Sequence, residues 1–448
     1  MFVSLLQREI RRGLSSFAFL LILTVMCILA ALGGYRQVKV YNRTLAELTT
    51  RNELNRPETD PQVIVVAKPA PPLLPFFNGV YNVVPDEVSL RSQSVLVSPS
   101  NEDIRPLNWV SSDIDLGHII GVLLTLMAVF LTYDIASMGV RDSREILSNP
   151  TIRYPVLAGR VLGAISLIGI VLLASVVIYF ITVWRASGGS YTLSFSSLLS
   201  IAVCTFAGFI AICVFVLVSV TASNIASSPT VSLYASLSIW TIAVVVWPPV
   251  AGYLASRIYP LPAPQTFRHE LLSAETALDL GELAEHRNAA GDLATNGAGI
   301  EDARRKYDDI HSRWMNRKEQ ELGPLVDRHQ ERLRRQQSLV KSLASLSPYG
   351  AFLEFAVGIS ETAPADQESF LESAQQYGRH VFLHDWMHSS DVGEAAAEHN
   401  TASPAIPAFQ MPTHTIGERL LTAAPQIGLL LLQIGLLAGI SIYRVRTR

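Results

Sequence analysis

Three histidines, His380, His384 and His388, stand at i, i+4 and i+8, with Met387 beside the last and His399, Met411 and His414 downstream. On a helix that spacing stacks the imidazoles on one face, and His with Met is a donor set for copper or zinc. Three in a row along about 12 Å of helix cannot close on one ion, and no further fixed ligands surround them. No bound metal is expected. The sequence also lacks a G-x-x-x-x-G-K-[ST] phosphate loop, an H-E-x-x-H and a G-x-S-x-G. Its cysteines (Cys27, Cys204, Cys213) all lie in apolar runs, away from any histidine that would activate them. Neither catalysis nor a bound cofactor is expected of this chain.

Other polar residues sit in or between apolar runs. Gln426 and Gln433 are seven apart, hence on one helix face, and Gly435 with Gly439 and Gly159 with Gly163 form two G-x-x-x-G pairs. These suit close helix packing with hydrogen bonds across it, and the alternative for the glutamines is to line a translocation path. Asp134, Arg160 and His118 stand at the ends of apolar runs and none at mid-depth. A carrier driven by ions would bury an ionisable group deep in its bundle, so ion-coupled transport is not expected. A short charged stretch, Arg141, Asp142, Arg144 and Glu145, leads into two apolar residues, Ile146 and Leu147.

The elements that must hold these residues follow from composition. Of 448 residues 49% are hydrophobic and only 16% charged, too few charges to cover a soluble globule of that size. A net charge of −3 leaves no basic surplus for nucleic acid. Six runs of about 20 apolar residues, at 16–34, 117–137, 161–184, 198–220, 233–255 and 420–442, are long enough to cross a bilayer. Basic residues before the first run (Arg8, Arg11, Arg12), between the second and third (Arg141, Arg144, Arg153, Arg160) and after the sixth (Arg444, Arg446, Arg448) place those flanks in the cytoplasm. The expectation is an all-α polytopic membrane protein of six spans with both termini cytoplasmic, surrounded by membrane lipids. Residues 1–34 would hold an amphipathic helix and span 1, and 117–255 spans 2 to 5 with an inner loop at 138–158. Residues 420–448 would hold span 6 and a basic tail. The segments 35–116 and 256–419 then form a mainly helical extracytoplasmic head with some extended pieces.

Within the head, 38–56 reads as helix, and the Pro- and Val-rich stretch around Val63, Val65 and Val66 as short strands. Phe76, Phe77 and Tyr81 read as local core or interface anchors. Residues 270–287 and 300–346 read as helices, the second carrying a narrow apolar stripe and a break at Gly323-Pro324. Helices at 349–359 and 367–385 and an irregular tail at 389–415 complete it.

The stretch from Thr132, "TYDIASMGVRDSREILSNPTIRYPVLAGRVLG", resembles the signature of ABC-2 type permeases. Leu147, Ser148, Asn149, Pro150, Gly159, Arg160 and Gly163 carry the match, while "GVRDSREI" replaces the family's usual acidic run. The opening "LLQREIRRGLSS" and the uncharged "SNIASSPTVSL" are similar to that family's basic leading helix and inner loop. Ser347, Pro348, Phe370, Ala374 and Tyr377 resemble the subgroup with a large periplasmic insertion, domain of unknown function 3526.

The resemblance implies a bacterial inner-membrane permease subunit, paired with a second copy or a sister permease. Its coupling element would be Arg141, Asp142, Arg144, Glu145, Ile146, Leu147 and Asn149, seated on a separate ABC ATP-binding subunit that alone binds ATP. The alternative function is a membrane-anchored receptor or assembly protein whose head binds a partner. An anchor has no need of a charged helix between two spans.

Overall fold

The computed structural model describes residues 2–54, 63–79, 81, 87–91, 98–99, 114–135, 150–188, 191, 193–226, 228–296, 300–395, 409–412 and 414–447. Its helices are α1 (Phe2–Leu14), α2 (Phe17–Leu54), α3 (Leu116–Thr132), α4 (Pro150–Ala186), α5 (Phe195–Ile225), α6 (Pro229–Ile258), α7 (Pro264–Asn296), α8 (Ile300–Ala344), α9 (Pro348–Ser360), α10 (Pro364–Ala395) and α11 (Ile416–Thr447). Three short strands, β1 (Val63–Ala67), β2 (Glu87–Arg91) and β3 (Ser98–Pro99), pair antiparallel in that order, with Val66 opposite Val88 and Val88 opposite Pro99.

Five of these helices (α2, α4, α5, α6 and α11) are long and apolar enough to cross a membrane, and α3 is a shorter apolar helix. Each of the six runs read from the sequence falls on one of them. Between them lies one continuous core that includes Ile120, Leu124, Ile168, Val171, Ala207, Ala211 and Leu430. The faces turned away from it stay apolar, with Leu21, Leu173, Phe206, Ile242 and Leu436 all exposed, as a surface bathed in lipid requires. α1 packs along α4, with Gly13 against Leu167 and Gly163 so close to Glu9 that a Cβ on the glycine would stand 3.1 Å from the Glu9 Cβ. One of the two expected G-x-x-x-G contacts is therefore made with α1. Gly435 and Gly439 have open space before them.

Several boundaries differ from the sequence reading. α2 runs unbroken from the first apolar run to Leu54, so the helix expected at 38–56 is its continuation. α7 extends to Asn296, past the expected end at 287 and through nine of the twelve Gly-, Asn- and Ala-rich residues 288–299 that separate the two expected helices. α8 passes Pro324 without stopping. Proline removes one helix bond, but α8 is pinned to α7 on both sides of it: the Lys318 ammonium lies 2.9 Å from Glu275 and Asp279, and His329 stacks on Phe267 at 3.9 Å.

Phe76, Phe77 and Tyr81 are all buried, the two phenylalanines in the bundle's own core. Residues 71–79 close over one end of it: the Tyr179 hydroxyl donates to the Pro75 carbonyl (2.6 Å), Tyr191 to Pro72, and the Asn78 N–H to the Asp115 carboxylate (3.0 Å). The sheet packs on α10 through Val66, Val88 and Leu90 against Phe370 and Ala374, with Tyr377 at the edge.

Lys68, just past β1, is only 2% exposed; its ammonium donates to Gln367 Oε1 (3.0 Å) and lies 5.3 Å from the Tyr81 ring. Burial pushes its pKa down from 10.5 to about 8, against the pull of Asp366. Between those two values the unfolded chain holds the extra proton, so stability rises with pH across that window and the penalty is fully present below it. Lys68→Met is expected to flatten a rise of about 3 kcal/mol. The check is the difference in thermal midpoint between the variant and the unaltered chain from pH 7 to 10.5.

Candidate functional site

The sequence at 343–352, "LASLSPYGAF", turns the chain back on itself. Ser347 caps α9 by accepting from the Gly350 N–H (2.9 Å), and Pro348 occupies the first turn, where no N–H is needed. α9 is apolar nearly all round, the mark of a buried helix. Tyr349, Phe352, Phe355, Ala356 and Ile359 are buried in it, and it packs against α5, α11 and the π segments at Ile119–Leu124 of α3 and Ile242–Val246 of α6. Gly121 and Gly208 leave notches for its aromatic rings: a Cβ would stand 2.7 Å from Tyr349 at the first and 3.2 Å from Phe352 at the second. This helix, expected in the head, lies in the bundle core.

Two hydrogen bonds fix how deep the turn reaches. Gln433 Nε2 donates to the Leu346 carbonyl (2.9 Å), and Trp247 Nε1 to the Leu343 carbonyl (2.7 Å). Gln433 is about 25 Å along α11 from Ile416, at 1.5 Å per residue, so the tip of the α8–α9 hairpin lies about halfway down that helix. At its upper end Arg419 contacts the Ile359 carbonyl (3.4 Å) and pairs with Glu361, whose left-handed φ of 63° ends α9.

Arg419, Gln426 and Gln433 thus recur every seven residues on the side of α11 that meets the hairpin. Arg419 ties its top and Gln433 its tip. Gln426, buried between them, is level with the middle of α9, and Oε1 of both glutamines finds no donor among the described residues. Farther down, Asn224 of α5 donates to Ser441 (3.0 Å). The expectation of no ionisable group within the bundle needs correction. Glu354 stands in the middle of α9, half-buried, with Lys341 of α8 its nearby countercharge. It was missed because α9 is too short to register as a span.

The coupling residues Arg141, Asp142, Arg144, Glu145, Ile146, Leu147 and Asn149 lie outside the described residues. The base of their loop is described. Arg160 Nη1 donates to the Ile135 carbonyl (3.4 Å), joining the end of α3 to α4, and the Ser232 hydroxyl of α6 donates to Tyr133 (2.6 Å). α1 lies along α4 at the same end. Of the histidine series, His380 is exposed on α10 and His384 and His388 follow on that helix, which extends beyond the expected 385 to Ala395.

A model of the ABC-2 family transporter proteins matches residues 3–378. No curated protein and no solved structure matches the chain. The match spans the bundle from α1 through α9 and on into α10, which includes both the loop base and the α8–α9 hairpin. The chain therefore belongs to the ABC-2 family of transporter proteins, as a multi-pass membrane transport component that is not itself catalytic and whose implied partner is an ATP-binding subunit.

Proposed function

We propose that the chain is the permease subunit of an ATP-binding-cassette transporter in a bacterial inner membrane. It crosses six times with both termini in the cytoplasm, belongs to the subgroup with the large periplasmic insertion, and pairs with a second copy or a sister permease. A separate ATPase docks on the 138–158 loop; its closure on ATP rocks the bundles, and the external head receives or hands on cargo. The observation that carries this reading is the family match over residues 3–378 with a charged loop whose base is closed by Arg160 on Ile135. A loop tied at both ends to two apolar helices transmits a push from outside the bundle into it; a free linker does not.

The test is topology in intact cells. A cysteine at Ser143 is expected to react with a membrane-impermeant maleimide only after the cytoplasmic face is opened, and one at Ala290 only from outside. Labelling of both from one face overturns the six-span arrangement, and labelling at Ser143 from outside also removes the ATPase's access to the loop.

A further inference from the structure

The α7–α8 hairpin stands clear of the bundle. α8 is one continuous helix whose Leu343, Gln336, His329 and Lys318 meet Trp247, the Tyr259 carbonyl, Phe267 and Glu275 in turn, so α7 continues the direction of α6. From Gln336 to Ile300 it runs roughly 54 Å. Polar groups zip the two helices together. Lys318, 1% exposed, holds Glu275 and Asp279; Arg317 reaches Glu285 (3.3 Å); His286 and His311 both contact Glu282 (3.3 and 3.0 Å). Every carboxylate of α7 from Glu275 to Glu285 is thereby committed to α8.

The opposite face of α7 is left uncharged for three turns. Leu272 is 49% exposed, Leu280 61% and Leu283 66%, with Thr276 and Ala277 between them along a shallow groove. Leucines this open, in a hairpin otherwise covered in charge, mark a surface that another surface covers.

We propose that this face is covered by the same face of a second copy of the chain, a step that rests on the paired permease of the proposed function. Charge and size together select this occupant. A two-fold interface sets each residue near its own counterpart, which costs little here because the groove from Leu272 to Leu280 is lined by no acid or base, and His269 at its end is the one titratable residue of its lining. Three turns of helix, about 16 Å, offer a few hundred Å², well short of the roughly 1,000 Å² that a freely diffusing partner needs. A copy in the same membrane is already concentrated and oriented, so a short contact suffices. Copies inserted the same way share a two-fold axis along the membrane normal, so the two α7 helices lie parallel and in register.

The test is disulfide trapping of the full-length chain in its membrane, in a background with Cys27, Cys204 and Cys213 replaced by Ser. Thr276→Cys and Leu280→Cys are each expected to form a same-position dimer on oxidation. Arg313→Cys, exposed on α8, is expected to form roughly tenfold less, the level of random collision. The mass of the unaltered chain in lipid nanodiscs reports separately whether it pairs. A paired mass without trapping at 276 or 280 overturns the α7 interface and leaves the paired permease standing. A monomeric mass overturns the second copy, in this interface and in the proposed function alike, and leaves only pairing with a sister permease. Equal trapping at Arg313, or a different protein trapped at 280, overturns the choice of a second copy.

Discussion

Replacing Ile146 and Leu147 together by Asp is expected to abolish the stimulated ATP hydrolysis of the proposed ATPase partner, with membrane insertion and expression unchanged. Those two side chains are the apolar residues of an otherwise charged segment, and neither lies in a span. At a protein interface the buried apolar centre dominates affinity, and rim charges tune the rate of encounter. Losing two such anchors at roughly 2 kcal/mol each lowers affinity about a thousandfold. Reversing Arg141 and Arg144 weakens coupling less, and more visibly at low salt, where exposed charges are least screened. The measurements are ATP turnover of the co-expressed complex and co-purification in mild detergent. If both are unchanged in the Ile146→Asp/Leu147→Asp variant, the chain is an anchor for its head and not an engine-coupled permease.

The bundle was legible where composition alone decides structure. A run of 20 apolar residues has few alternatives to a buried or lipid-covered helix, so α2, α4, α5, α6 and α11 all fall on runs read from the sequence. Phe76 and Phe77 were legible as core, although the core they enter is the bundle's and not the head's. What the sequence hid is the α8–α9 hairpin. Pro348–Ser360 is too short to resemble a span, and Glu354 in its middle gives it the look of a surface helix. The available signal was apolarity on every side of the helix, with Gly and Ala among the aromatics, which a head helix exposed on one face would not show. The seven-residue spacing of Gln426 and Gln433 puts them on one face of α11, but what Gln433 holds there is the Leu346 carbonyl, 87 residues away, and no spacing rule reaches that far.

Two glycines of α9, eight residues apart, are expected to respond oppositely to the same substitution. A Cβ at Gly350 would fall against the Ala344 carbonyl, 2.6 Å from its carbon, whereas one at Gly358 meets nothing within 4 Å. Gly→Ala in a helix gains up to about 1 kcal/mol from the reduced freedom of the unfolded chain. Gly358→Ala should therefore be neutral or mildly stabilising. Gly350→Ala forfeits that gain to a clash with backbone, which cannot swing aside as a side-chain end can, and overpacking of this kind costs about 1–3 kcal/mol. The turn has no slack to absorb it, because Gln433 holds Leu346 and Trp247 holds Leu343. Gly350→Leu demands a larger displacement and should lift α9 from its seat. Phe352 then leaves its contacts at Gly121 and Gly208, and loss of a buried phenylalanine's packing alone costs about 3–5 kcal/mol. The readouts are the thermal midpoint in detergent and maleimide labelling of a cysteine at the buried Ala351. Labelling should be negligible in the Gly358→Leu background and rapid in the Gly350→Leu background. If the two leucine variants label and melt alike, α9 is not seated against α8 in the way that defines the hairpin, and the depth fixed by Gln433 and Trp247 loses its basis.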